Sequence, residues 1–122
     1  MKPYFLILVL LLSASGAKAQ NAVSLIQKSF QTGNIALLAN YLSSDIEVST
    51  PNGEATDKGN AALLLNSFLL QNVPRSFTVK HNCTAPNGSQ SVVGTLGTTN
   101  GNYRVSVALK GNNIDEISIE KQ

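Results

Sequence analysis

Ser91-Val92-Val93-Gly94-Thr95-Leu96-Gly97-Thr98 and Tyr103-Arg104-Val105-Ser106-Val107-Ala108-Leu109 are two runs of alternating character, with Thr99-Asn100-Gly101-Asn102 between them. Asn-Gly between such runs predicts a β-hairpin with a primed turn, because both residues tolerate positive φ. Val92, Gly94 and Leu96 share one face of the first strand, and Tyr103, Val105, Val107 and Leu109 share one face of the second. Arg104, Ser106 and Lys110 lie opposite. A hairpin with a single apolar face is not stable alone, so it needs more strands beside it and helices over that face.

Working outward, the period of two continues in both directions. Phe77, Val79, His81 and Cys83 fall on one face of a preceding strand and Thr78, Lys80 and Asn82 on the other, and Ala85-Pro86-Asn87-Gly88 supplies the turn. After the turn Gly111-Asn112-Asn113, Ile117 and Ile119 keep the alternation. Ile114 lies three residues before Ile117, which predicts a bulge near Asp115-Glu116.

Upstream, the period becomes helical. Ala22, Ile26 and Phe30, with Val23 beside them, form one stripe over Asn21–Gln31, which Gly33 ends. Asn34 is the expected cap of a second helix whose stripe is Ile35, Leu38 and Leu42, stopped by Ser43-Ser44-Asp45. Ile46–Thr50 reads as a strand, Pro51-Asn52-Gly53 as a turn, and Glu54–Lys58 as a short return segment. Ala61–Leu70 is the most apolar helix downstream of the leader. Ala61, Leu64, Leu65, Phe68 and Leu69 lie on one side and Leu63 and Leu70 spill over, so the helix is expected to be largely buried, with Asn72 and Pro74 ending it. Helices followed by a strand meander give an α+β class, a mainly antiparallel sheet packed on N-terminal helices and one long apolar helix.

The first residues have the pattern of an export signal: Lys2, then nearly unbroken apolar sequence over Pro3–Leu12, then Ala17-Lys18-Ala19 before Gln20. The expected domains are therefore a signal peptide at 1–19 and one domain at 20–122, periplasmic or secreted, without a membrane anchor after cleavage. Loss of Lys2 and Lys18 reduces nine Lys and Arg to seven, equal to the seven Asp and Glu. A neutral domain is not expected to bind nucleic acid. The single cysteine, Cys83, has no internal disulfide partner and reads as a small buried hydrophobe. Asn82-Cys83-Thr84 and Asn87-Gly88-Ser89 are glycosylation sequons that matter only in a eukaryotic source.

Helix, Thr-Gly-Asn turn, helix, short hairpin, long apolar helix and meander is an order that resembles nuclear-transport-factor-2-like, or cystatin-like, domains. Gly33-Asn34 with Leu38-Ala39-Asn40-Tyr41-Leu42, Ser76-Phe77-Thr78-Val79-Lys80-His81, Gly94-Thr95-Leu96, Thr99-Asn100-Gly101-Asn102-Tyr103-Arg104-Val105 and Ile117-Ser118-Ile119-Glu120-Lys121 resemble the secreted Bacteroidetes family called domain of unknown function 4783. The resemblance implies a cone whose curved sheet partly encloses an apolar pocket in a Gram-negative exported protein. It carries no activity. Other members of the wider fold are isomerases, dehydratases and polyketide cyclases, but fold alone does not transfer their chemistry.

With one histidine in the chain, zinc sites and Ser-His-Asp triads lack their partners, and no metal or cofactor is expected. Asp45 with Glu47, Glu54 with Asp57, and Asp115 with Glu116 are acid pairs at strand ends or turns, where water keeps both members charged. The pocket-lining candidates are Phe77, Val79, His81, Tyr103 and Val105. The expected role is a non-catalytic exported domain binding a small apolar ligand or a protein partner. One alternative is an isomerase, dehydratase or hydrolase using His81 or Asp45 as base and Tyr103 as donor. The other is a homodimer pairing through the face of Lys80, Arg104 and Ser106.

Overall fold

The computed structural model describes residues 22–122. The expected export signal, its cleavage point and the first residue of the first helix lie outside the described residues. The first helix, α1, covers residues 22–32 and buries Ala22, Ile26, Ser29 and Phe30. Gly33, at φ +76°, turns the chain, and the Ser29 hydroxyl donates to the Asn34 carbonyl at 2.8 Å.

The expected second α-helix is instead a 3-10 helix, Ile35–Tyr41, whose side chain at Asn34 caps nothing. Strand β1, Leu42–Thr50, then begins four residues earlier than the sequence suggests and absorbs Ser43-Ser44-Asp45. Its register against the last strand shifts between Leu42 and Glu47. Leu42 and Ile46 both point inward, four residues apart as same-face strand residues can be, and Leu42 also continues the helical spacing of Ile35 and Leu38.

Strand β2, Gly53–Ala55, pairs antiparallel with β1. Helix α2, Lys58–Gln71, starts three residues before the expected position because Asp57 caps it: Oδ1 accepts from the Asn60 main-chain N at 2.9 Å and Oδ2 from Asn60 Nδ2 at 2.9 Å. Ala61, Leu65, Phe68 and Leu69 are buried, but Leu63 and Leu70 are 68% and 80% exposed. Their expected burial is corrected: α2 lies against the sheet along one face, and the opposite face meets water.

The remaining strands are β3 (Pro74–Thr84), β4 (Ser89–Thr98), β5 (Gly101–Lys110) and β6 (Asn113–Lys121). The spatial order is β2-β1-β6-β5-β4-β3. Only β1–β6 is a parallel pair, so the curved sheet is mixed but mainly antiparallel. The predicted bulge in the last strand is present. Ala108 pairs with Glu116 and Leu109 with Ile114, leaving Asp115 extra, and Ile114, Ile117 and Ile119 all reach the core. At the β3 edge of the sheet, Phe77 lies over Gly94, where a Cβ would come within 2.5 Å of the Phe77 ring and 2.8 Å of the Thr78 carbonyl oxygen.

The hairpin forms where predicted, with Thr98 paired to Gly101, but its turn is not primed. No non-glycine residue among those described has positive φ, and within this turn only Gly101 does, at +112°. Thr98 Oγ1 accepts from the Asn100 N–H at 3.0 Å and donates to the Gly101 carbonyl at 2.8 Å, holding Asn100 at ordinary φ. Thr50-Pro51-Asn52-Gly53 repeats this arrangement. There the Thr50 hydroxyl accepts from Asn52 N–H at 3.1 Å and donates to Gly53 O at 3.4 Å.

Candidate functional site

The five pocket candidates do not share one space. Phe77 and Val105 are buried, and the Phe77 ring packs on Phe30 with centroids 5.5 Å apart. Val79 is half-buried against the core. His81 is exposed, and so is Cys83. A register shift between Val79 and His81 moves the strand one step: Val79 pairs with Gly94, His81 with Val93 and Cys83 with Ser91. A one-residue slip reverses every later side chain. The expectation that His81 and Cys83 share the inward face of Phe77 is therefore corrected, and the buried reading of Cys83 with it.

Tyr103 does point inward, where its ring meets Phe68 edge-on at 5.0 Å. Its hydroxyl donates to Asn72 Oδ1 at 3.1 Å. Asn72 is buried and joins several elements at once. Its main-chain N–H and Nδ2 donate to Phe68 O at 2.8 and 2.9 Å, and Oδ1 also accepts from Asn100 Nδ2 at 3.0 Å. Asn100 Nδ2 further reaches Gln71 O at 2.8 Å, and Asn52 Nδ2 reaches Gln71 Oε1 at 3.1 Å. Lys121 closes the group, donating to Asn100 O with its ammonium 4.8 Å from the Tyr103 ring centroid. The two Thr-x-Asn-Gly turns thus grip the C-terminal end of α2, whose last carbonyls need donors.

Sequence reasoning treated Asn72 as a helix stop and Asn100 as a turn residue, and missed that they meet. Within this group every buried side-chain polar atom is bonded. It is a filled joint, with Tyr103 already committed to Asn72.

The outward face of the sheet is ordered by register. Ser49 pairs with Ser118, Ser118 with Ser106, Ser106 with Val93 and Val93 with His81, one row across five strands that is small everywhere but at His81. A parallel row runs Glu47, Glu116, Ala108, Ser91, Cys83. Arg104 pairs with Glu120 at 3.6 Å, both exposed. A shallow groove of about 290 Å³ is lined by Ser91, Val93, Ser106, Ala108, Glu116 and Ser118. Of two others, near β1, one includes Glu47, Glu54 and Glu116 in its lining, and the other Asp45, Asp115 and Lys110. None of the five pocket candidates lines any of these three grooves.

Asp57 has a distinct electrostatic signature. Hydrogen bonds from the Asn60 main chain, then its side chain, then Gly59, hold its pKa below the usual aspartate range. His81 and Asp45 are exposed, whereas Tyr103 lies beneath the sheet, so the proposed base and donor are not brought together. Among the described residues no group of three His, Cys, Asp or Glu side chains converges as a metal site.

No curated protein matches the chain. A DUF4783 family protein from Bacteroides ovatus is 30% identical, with a TM-score of 0.72 over 80% of this chain and 92% of that one. A DUF4783 family protein from Bacteroides uniformis is 29% identical, with a TM-score of 0.72 over 80% of this chain and 94% of that one. A protein of unknown function from Cytophaga hutchinsonii, described as NTF2-like, has a TM-score of 0.61 at 10% identity, covering 85% of this chain and 89% of that one, a likeness of fold alone. The model of the domain of unknown function DUF4783 matches residues 23–120, and the chain belongs to that family.

Proposed function

We propose that this is an exported, non-catalytic binding domain that engages a protein partner through the outward face of its sheet. The observation that carries the reading is the division of labour across the sheet. Phe77, Tyr103 and Val105 are spent on internal packing, whereas Ser118, Ser106 and Val93 form a row of small, half-buried side chains that leaves room for another surface. An open polar face with small central residues suits protein contact better than capture of a small apolar molecule, which needs an enclosed apolar site.

Native mass measurement on the protein taken from its exported compartment tests this. The expected result is a protein-sized added mass, from a second copy or another chain, that Ser106→Arg removes without lowering the unfolding midpoint. A bound small molecule that survives Ser106→Arg and leaves only on denaturation would overturn it and return the ligand to the interior.

A further inference from the structure

The chain contains three Asn-Gly steps: Asn52-Gly53, Asn87-Gly88 and Asn100-Gly101. This dipeptide is chemically labile because glycine has no Cβ to hinder attack by its own nitrogen on the preceding side chain. The fold treats the three steps differently. In the first and third, the asparagine amide donates to the end of α2, and the glycine lies in the strand ladder opposite Thr50 or Thr98. Asn87-Gly88 sits at the exposed tip between β3 and β4, beyond the last ladder pair, Thr84 with Gln90. There Asn87 Oδ1 accepts from the Ser89 N–H at 3.0 Å, and among the described residues Nδ2 has no partner. No atom lies within 4 Å of the place a Gly88 Cβ would occupy.

We propose that Asn87 is a site of spontaneous modification in the folded protein, losing its amide to become aspartate or isoaspartate. The Gly88 nitrogen gives its proton to solvent base and bonds to Asn87 Cγ, the Cγ–Nδ2 bond breaks, and ammonia leaves. Water then opens the five-membered imide, at the side-chain carbonyl to give aspartate or at the main-chain carbonyl to give isoaspartate. One water is consumed and one ammonia released, with no oxidant or reductant. The Ser89 N–H polarises the Cγ carbonyl toward attack, and Nδ2 leaves without breaking a protein contact. The opposing feature is the Gly88 N–H bond to Ala85 O at 3.0 Å, which opens first, at an exposed turn where local opening is cheap. The product adds a negative charge to the hairpin tip, and isoaspartate also lengthens the main chain between Ala85 and Ser89, whose N–H to carbonyl bond is 2.7 Å.

The test is peptide mapping by mass after incubation of the folded protein in mildly alkaline buffer, with a parallel sample in urea and an Asn87→Gln control. In the folded sample, conversion of amide to acid at Asn87 is expected to lead Asn52 and Asn100 by about tenfold or more, the protection that local structure provides at the other two. In urea the three rates converge. Equal rates in the folded protein, or an equal lead for Asn87 in urea, overturns the proposal, because the fold would then not be the cause.

Discussion

At the scale of single residues, Asn72 and Gly94 hold positions that no neighbour can fill. Asn72→Ala leaves Tyr103 Oη and Asn100 Nδ2 without their shared acceptor, one of them buried, and is expected to cost about 2–3 kcal/mol in urea unfolding. Tyr103→Phe removes one bond and keeps the ring against Phe68, so about 1 kcal/mol is expected in the same measurement. Gly94→Ala drives a methyl into the Phe77 ring and the Thr78 carbonyl, and the overpacking is expected to cost about 1–3 kcal/mol. The apolar identity of this part of the core was readable, since Val92, Leu96, Val105 and Val107 alternate strictly and all are buried. The polar joint was not. Asn72 and Asn100 each carry an ordinary local meaning, and only the fold of the intervening residues puts them 3.0 Å apart.

At the scale of elements, which face a strand residue takes turned on breaks in a regular period. The bulge at Asp115 was legible because three isoleucines revealed it. The shift after Val79 was hidden, because His81 and Cys83 are plausible on either face and gave no contradiction. The early start of β1 was hidden because Leu42 also continues the helical spacing of Ile35 and Leu38. Helix α2 was found, but its start depended on a cap rather than on apolar spacing. That cap has a titratable signature. The folded pKa of Asp57 is depressed, so its contribution is present above the unfolded aspartate pKa and is lost as pH falls through the folded value. Asp57→Asn keeps a capping oxygen and removes the titration. The difference in unfolding midpoint between wild type and this variant is therefore expected to shrink from pH 5 toward pH 2, and a constant difference would show that the carboxylate charge plays no part.

At the scale of the whole molecule, the layer arrangement was available from element order alone, and so was the likeness to the nuclear-transport-factor-2 fold. Side-chain volume fills the interior where these rings lie, Phe30 packing on Phe77 and Phe68 on Tyr103. Interior packing and outward display are therefore separable. Phe68→Ala is expected to cost about 3–5 kcal/mol of stability, while Leu63→Ser and Leu70→Ser on the exposed side of α2 stay within about 0.5 kcal/mol each.

The parallel contact between β1 and β6 joins the first strand among the described residues to the last. During synthesis, β1 has only the three-residue β2 beside it until the final residues emerge, so the sheet cannot knit from one end to the other as the chain grows. Such non-local pairing is slow, because a long loop must close before any contact rewards it. The sheet is thus incomplete until β6 is in place between β1 and β5. Ending the chain at Gly111 would leave β1 and β5 with bare edges and is expected to abolish cooperative unfolding altogether.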